Sequence, residues 1–90
     1  MKKISKWWVY ILKCLNGTLY TGMTNDVNRR FVAHKAGKGC RYTRAFGVEK
    51  LVYTEKCGSR GGALKREAAI KRLNRKEKLK MIKAGNPART

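Results

Sequence analysis

Residues 7–23 read WWVYILKCLNGTLYTGM, and this stretch predicts a β-hairpin. Aromatic and β-branched residues favour a buried strand over Trp7–Leu15 and a returning strand over Thr18–Met23. Asn16-Gly17 lies between them and favours a two-residue type I′ turn, because both central positions of that turn need a positive φ. Gly22 is unusual inside the second strand, since glycine there often marks the close approach of a ligand or another backbone.

The sequence after the hairpin predicts three helices and one further strand. Thr24-Asn25-Asp26 offers helix-capping side chains, and Val27–Lys35 is expected to form an amphipathic helix. Gly37 and Gly39 end that helix and lead into a loop over residues 38–46. The remaining predicted elements are a strand over Glu49–Glu55, a helix from about Gly61 to Leu73 and a helix from about Lys76 to Lys83. This β-β-α-β-α-α order predicts an α+β fold, with a small three-stranded, largely antiparallel sheet flanked by helices.

Basic residues greatly outnumber acidic ones. The 90 residues include 23 Lys+Arg and 5 Asp+Glu, which gives a formal net charge of +18. Such a charge attracts phosphate backbones through counterion release, and so favours a nucleic-acid partner over a membrane surface. Because acids are scarce, a metal-dependent enzyme would have few carboxylate ligands to choose from.

Length and composition narrow the class of protein further. We expect one domain over residues 1–90 with a core at about residues 7–82. No apolar run approaches the roughly 20 residues that cross a bilayer, and no small-residue cleavage site follows Trp7–Leu12, which predicts a cytoplasmic protein without a membrane partner. Cys14, Cys40 and Cys57 are far apart and form no C-x-x-C pair, so we expect reduced, structural thiols.

Helical spacing places one acid on an apolar face. At about 100° per residue, Glu67 falls within the stripe that contains Ala63, Leu64 and Ile70. A carboxylate that points toward a core is costly unless it is paired or bound to a metal. Two interpretations are open on helix geometry alone: an ion pair with Lys71 one turn along or with a nearby arginine, or a metal-binding or catalytic role.

A second helical pair combines a guanidinium with an imidazole. Arg30 and His34 are four residues apart and share one face of the first predicted helix. Arginine can bind two phosphate oxygens, and histidine can move a proton near neutral pH. The alternative is a solvated basic face. Tyr10 and Tyr20 lie on the two hairpin strands, where they either join such a site or pack as ordinary strand aromatics.

Taken in order, these residues resemble the GIY-YIG nuclease superfamily. The two tripeptides that name the family read Trp8-Val9-Tyr10 and Tyr20-Thr21-Gly22 here, so both tyrosines and the last glycine match. Trp8 replaces the first glycine, and Thr21 replaces the middle residue of the second tripeptide. Residues 37–44 and the basic C-terminal helices are similar to those of small stand-alone bacterial members. The ordered set is completed by Thr24, Arg30, His34 and Glu67.

The resemblance implies an endonuclease that hydrolyses phosphodiester bonds in nucleic acid, with DNA favoured over RNA. The alternative is a non-catalytic, basic nucleic-acid-binding protein on the same fold. Glu67 would be the single protein ligand of Mg²⁺ or Mn²⁺, with water and substrate phosphate filling the other positions. Tyr10 or Tyr20 would deprotonate the attacking water, with nearby cations expected to lower the phenol pKa.

The resemblance also assigns roles around this centre. Arg30 would bind phosphate, and His34 would position or relay the proton. Gly22 would let the backbone approach the scissile phosphate, and either Asn74 or Asn86 would supply a late asparagine. Tyr42 lies between two arginines and could stack on a base. The predicted substrate-binding residues are Gly22, Thr24, Lys38, Arg41, Tyr42, Arg44, Lys71 and Asn74.

Overall fold

A computed structural model describes residues 6–84, which form three strands and four helices. The strands are β1 (Trp7–Cys14), β2 (Leu19–Thr24) and β3 (Val48–Gly58). The helices are α1 (Val27–Lys35), α2 (Arg41–Phe46), α3 (Arg60–Lys71) and α4 (Arg75–Ala84). The predicted α+β class is confirmed. Among the described helices, none has the length and apolar character needed to cross a membrane.

The sheet has β1 at its centre, in the order β2-β1-β3, and both pairings are antiparallel. The predicted three-stranded antiparallel sheet is therefore confirmed. Side chains alternate along β1, so Val9 and Ile11 lie on one face while Tyr10 and Leu12 lie on the other. The first face packs against α3 and α4, and the second packs against Phe31 of α1.

The hairpin turn differs from the predicted type I′ turn. Gly17 has a φ of 88°, whereas no non-glycine residue in the described range, including Asn16, has a positive φ. The Gly17 amide donates to the Cys14 carbonyl at 2.9 Å, and the Cys14 amide donates to the Thr18 carbonyl at 2.8 Å. These bonds enclose a three-residue loop in which only the last residue is left-handed. The two-residue prediction is wrong because it assigned the left-handed conformation to Asn16 as well.

Helix α1 has the bounds that the sequence predicts. The Asp26 side chain caps it by accepting a hydrogen bond from the Arg29 amide at 3.1 Å. Thr24 Oγ1 in turn accepts a hydrogen bond from the Asp26 amide at 3.0 Å. The residue that α1 buries is His34, which is 1% exposed. The helix therefore directs a histidine toward the sheet.

Helix α2 corrects the prediction of a loop over residues 38–46. Six residues of that segment are helical, so the element order is β-β-α-α-β-α-α. Gly37 and Gly39 indicated a break, and the helix after them is too short to show a clear periodicity. Thr43, which is 1% exposed, anchors α2 beneath α1.

Helix α3 turns a different face to the sheet from the one predicted. Ala63 and Ile70 are fully buried, but Leu64 is 53% exposed. The helix is rotated so that Arg66 reaches Glu55 on β3, with Nε 2.9 Å from Oε2. Glu67 consequently lies at the margin of the buried face and not at its middle.

Candidate active site

A buried hydrogen-bond chain joins β1, α1 and α2. The Tyr10 hydroxyl lies 2.9 Å from His34 Nε2, and His34 Nδ1 lies 2.7 Å from Thr43 Oγ1. All three residues are at most 2% exposed. A solvated basic face is therefore ruled out for His34, although Arg30, one turn earlier in α1, is exposed.

Tyr20 continues this cluster toward the surface. Its ring centroid lies 5.3 Å from that of His34 and 6.5 Å from that of Tyr10. Tyr42 stacks on Tyr20 at 5.7 Å with the ring planes 24° apart, and Phe46 lies 4.9 Å beyond Tyr42. The outer rings are partly open to solvent, at 37% exposed for Tyr42 and 43% for Phe46.

Two glycines lie where a Cβ atom would collide with the rings of Tyr10 and His34. Gly22 pairs with Tyr10 across the sheet, and a Cβ there would lie only 2.6 Å from Tyr10 Cζ. Gly39 lies against the imidazole, and a Cβ there would lie 2.6 Å from His34 Cε1. The tyrosine ring of the adjacent strand makes a close approach of the kind that the sequence indicated at Gly22.

Arg30 and Glu67 bring opposite charges to the phenols. The positive charge of Arg30 acts to lower the pKa of the Tyr10 hydroxyl. Glu67 comes from α3, on the other face of the sheet, and its charge acts on both Tyr10 and Tyr20. Its side chain is 17% exposed, and Lys71 Nζ lies 3.4 Å from Oε2. The ion pair considered from the sequence is therefore present.

The electrostatics keep both phenols protonated. Burial raises the pKa of Tyr10 and outweighs the hydrogen bond and positive charge of Arg30. Burial also raises the pKa of Tyr20, and a hydrogen bond with Cys40 raises it further. The expectation that nearby cations would lower these pKa values is wrong in the ligand-free protein. Burial, assisted by the charge of Arg30, lowers the pKa of His34 and so favours a neutral imidazole.

Several predicted substrate-binding residues form a basic rim next to the aromatic cluster. Lys38, Arg41 and Arg44 are exposed, and they line one surface groove. Tyr42 lies beside them, and its hydroxyl donates to Thr18 Oγ1 at 2.7 Å. Cations and an exposed ring thus adjoin the Tyr20 side of the site.

Two other predicted substrate-binding residues have structural contacts. Thr24 is 8% exposed and supports the start of α1. Asn74 Oδ1 accepts from the Glu77 amide at 2.8 Å, while Glu77 Oε1 accepts from the Asn74 amide at 3.0 Å. This reciprocal pair is a capping box at the start of α4. Because α3 ends at Lys71, Asn74 does not continue the helical face of Glu67, and Asn86 lies outside the described residues.

Sequence reasoning missed Thr43 and Cys40. Cys40 Sγ lies 3.4 Å from Thr43 Oγ1 and is hydrogen-bonded to Tyr20. Burial acts to raise the pKa of the Cys40 thiol, but hydrogen bonds from Thr43, Tyr20 and the Tyr42 backbone together lower it. The available signal was the three-residue spacing of two polar side chains just after Gly39, which is typical of a helix start.

Among the described residues, Glu67 is the carboxylate whose charge acts on both phenols. Within residues 6–84, no group of three or more histidine, cysteine, aspartate or glutamate side chains is arranged to hold a metal ion. Mg²⁺ commonly binds through one or two carboxylates, with substrate phosphate and water as the other ligands. Glu67 fits a cation of that kind, and it does not fit a site built entirely from protein ligands.

Comparison with known proteins identifies the family of the chain. The model of the GIY-YIG catalytic domain matches residues 6–80. A UPF0213 protein of Staphylococcus epidermidis is 48% identical over 82 residues, which cover 91% of this chain and 100% of the relative. A UPF0213 protein of Syntrophus aciditrophicus is 48% identical over 87 residues, covering 96% of this chain and 99% of the relative.

Solved structures show the same fold. The solution NMR structure of a UPF0213 protein from Bacillus halodurans is 38% identical with a TM-score of 0.59, over 92% of this chain and 88% of that one. The solution NMR structure of an E. faecalis protein is 38% identical with a TM-score of 0.58, over 92% of this chain and 86% of that one. The family match and these relatives together show that the chain belongs to the GIY-YIG catalytic-domain family.

Proposed function

We propose that this protein is a metal-dependent endonuclease that hydrolyses phosphodiester bonds in nucleic acid. Family membership supports a nuclease, and the net charge of +18 supports a polyanionic substrate. The observation that carries the proposal is the cluster of Tyr10, Tyr20 and His34, with the charge of Arg30 acting on Tyr10 and that of Glu67 acting on both phenols. The preference for DNA over RNA is an analogy with the family.

The proposal treats residues 1–90 as one nuclease domain with its core at about residues 7–82. It also places the protein in the cytoplasm, where a reducing environment suits the free thiols of Cys14, Cys40 and Cys57. Substrate would lie along the exposed side of the aromatic cluster. Arg30 would bind a phosphate oxygen beside the Tyr10 hydroxyl, and Lys38, Arg41 and Arg44 would hold neighbouring phosphates.

Glu67 would hold Mg²⁺ or Mn²⁺ together with substrate phosphate. A bound divalent cation would neutralise the charge that develops on the phosphate and the departing oxygen in the transition state. Lys71, whose ammonium lies 3.4 Å from Glu67, would move to a phosphate oxygen when the cation takes its place. The Glu67 side chain is 17% exposed, so its carboxylate would be accessible to the cation.

Water activation would pass through Tyr10 and His34. The raised pKa of Tyr10 keeps its phenol protonated, so the phenol can accept a proton from water only as it loses its own. His34 Nε2, 2.9 Å away, is placed to take that proton. Water would give a proton to Tyr10, Tyr10 would give its proton to His34, and the resulting hydroxide would attack phosphorus. Tyr20, held by Cys40, would orient the water.

The test is cleavage of labelled single-stranded and double-stranded DNA and RNA with Mg²⁺, with Mn²⁺ and with a chelator. We expect cleavage that requires the metal, and loss of cleavage in Glu67→Gln and Tyr10→Phe with substrate binding largely retained. Glu49→Gln is the matched control, because Glu49 is an exposed acid on β3 whose partner is Lys13 at 3.7 Å. Its cleavage should equal that of the wild type.

The competing function is binding without catalysis. If no substrate is cleaved with either metal while the wild type and Glu67→Gln bind equally, the protein is a nucleic-acid-binding member of the fold. Cleavage that persists in Glu67→Gln would refute the metal-ligand assignment.

A further inference from the structure

The buried hydrogen-bond chain runs from Tyr10 through His34 to Thr43, and the proton of the Tyr10 hydroxyl sets its direction. The Tyr10 hydroxyl carries one proton, which needs an acceptor within the protein. The acceptor in reach is His34 Nε2, at 2.9 Å. Since Tyr10 is 2% exposed, an unpaired phenolic proton would be costly. This requires Nε2 to be unprotonated.

The hydrogen bonds on the Nδ1 side of His34 run in the same direction, away from Tyr10. A neutral imidazole without a proton on Nε2 carries it on Nδ1, which lies 2.7 Å from Thr43 Oγ1. Thr43 Oγ1 can accept that bond because its own proton points to the Cys40 carbonyl, 3.4 Å away. Reversing the bonds would leave the Tyr10 proton without its acceptor. Only the direction from Tyr10 to Thr43 therefore gives every proton of the chain an acceptor.

We propose that Thr43 is a positioning residue that holds His34 as the Nδ1–H tautomer, so that Nε2 is free to take the proton of Tyr10. This inference rests on the proposed nuclease function and adds to it the residue that sets the direction of proton transfer. Thr43 is 1% exposed, so it acts through the imidazole and does not contact substrate. The hydrogen bond made by the second nitrogen of a histidine commonly determines which nitrogen is protonated.

The surroundings of the imidazole hold this arrangement rigid. Gly39 lies against the ring, so close that a Cβ there would come within 2.6 Å of His34 Cε1. The titratable and charged groups that face His34 are Tyr10 of β1, Tyr20 of β2, Arg30 of α1 and Cys40 at the start of α2. None of them is a carboxylate, so the neutral hydroxyl of Thr43 takes the place that an acid often has behind a catalytic histidine.

The tautomer can be read directly, because His34 is the single histidine of the chain. Long-range ¹H–¹⁵N NMR spectra of the ¹⁵N-labelled protein, recorded without substrate, give the protonation of each ring nitrogen. We expect a protonated Nδ1 and an unprotonated Nε2 in the wild type and in Thr43→Ser. Thr43→Val keeps the shape but removes the acceptor, so we expect a mixture of tautomers and a kcat reduced by about tenfold or more, with KM unchanged.

Thr21→Val is the matched control, because Thr21 is a buried threonine whose hydroxyl has no hydrogen-bond partner among the described residues. It should leave the tautomer unchanged. A protonated Nε2 in the wild type, or a Thr43→Val variant with the wild-type tautomer and kcat, would overturn the proposal. If Thr43→Val fails to fold, the wild-type spectrum and Thr43→Ser still decide it. Spectra as expected together with no cleavage by any variant would refute the nuclease function and not the tautomer.

Discussion

Gly22 shows how a single missing side chain shapes the candidate site. The Tyr10 ring lies directly over it, and a Cβ would come within 2.6 Å of the ring. We predict that Gly22→Ala lowers the free energy of unfolding by about 1–3 kcal/mol, because the ring must shift within a packed core. Cleavage should fall as well, since the shifted hydroxyl loses its bond to His34. Urea unfolding and cleavage rates measure the two effects.

Gly61 provides the control for that substitution. It lies within α3, and a Cβ there would meet no atom within 4 Å. Gly61→Ala should therefore raise the free energy of unfolding by about 0.5–1 kcal/mol, as expected for an open helical position. Equal stability of the two variants would show that the Tyr10 ring is not held against Gly22.

His34 gives stability a dependence on pH. Burial and the charge of Arg30 lower its pKa in the folded state from the usual 6.5. As the pH falls below that usual value, the unfolded chain binds a proton that the folded chain does not, so stability decreases until the folded pKa is reached. Unfolding measured at about pH 8 and about pH 5.5 should show the loss. In His34→Gln the decrease over this window should disappear, and an equal decrease would contradict the prediction.

The sequence predicts the residues of the candidate site only where the side chain itself is reactive or charged. Tyr10, Arg30 and Glu67 were found from residue type, spacing and the family resemblance. Thr43 and Gly39 were not, because a threonine and a glycine in a basic loop are ordinary residues. Their importance comes from contact with His34, which is 9 residues from Thr43 along the chain.

At the scale of elements, the sequence predicts a helix where capping residues and helix-ending glycines lie next to it along the chain. Helix α1 has a cap at Asp26 and a glycine beyond its end, and its predicted bounds are those observed. Helix α2 has six residues and depends on tertiary contacts, namely Thr43 with His34 and Tyr42 with Thr18. Helix α3 is rotated because Arg66 pairs with Glu55 on β3. The spacing of apolar residues along the helix gives no information about this pair.

Helix α4 depends on the capping box between Asn74 and Glu77. We predict that Asn74→Ala lowers stability by about 1 kcal/mol, because the Glu77 amide loses its acceptor. Asn74→Asp keeps an acceptor oxygen and should retain most of that stability. Thermal unfolding of both variants is the measurement. If Asn74→Ala unfolds like the wild type but binds nucleic acid poorly, the substrate-binding role expected from the sequence is correct.

At the scale of the whole molecule, the placement of the acids distinguishes Glu67. All 5 acids lie in the described range, and four of them serve caps or pairs with other elements: Asp26, Glu49, Glu55 and Glu77. Glu67 pairs with Lys71 on its own helix, and Lys71 is 53% exposed. Such i,i+4 pairs contribute only about 0.3–0.5 kcal/mol, so structural stability gives little reason for this carboxylate beside the phenols.

The net charge of +18 makes binding depend strongly on salt, and the salt dependence can locate the substrate. Each phosphate contact adds about one unit to the slope of log K against log salt. Replacing both Arg41 and Arg44 of the basic rim with glutamine should reduce the slope by about two. The control is replacement of Lys50 and Lys56 of β3 with glutamine. Both are exposed, and the change removes the same charge from the sheet edge opposite β2.

Binding is measured by fluorescence anisotropy with a chelator present, so that cleavage does not interfere. The two double variants have equal net charge, so any long-range effect of charge is the same in both. A lower slope in the Arg41/Arg44 variant alone would place the phosphate backbone along the groove beside Tyr42. An equal change in both would mean that substrate is held by the overall field of the protein, and the basic rim would then have no special part in binding.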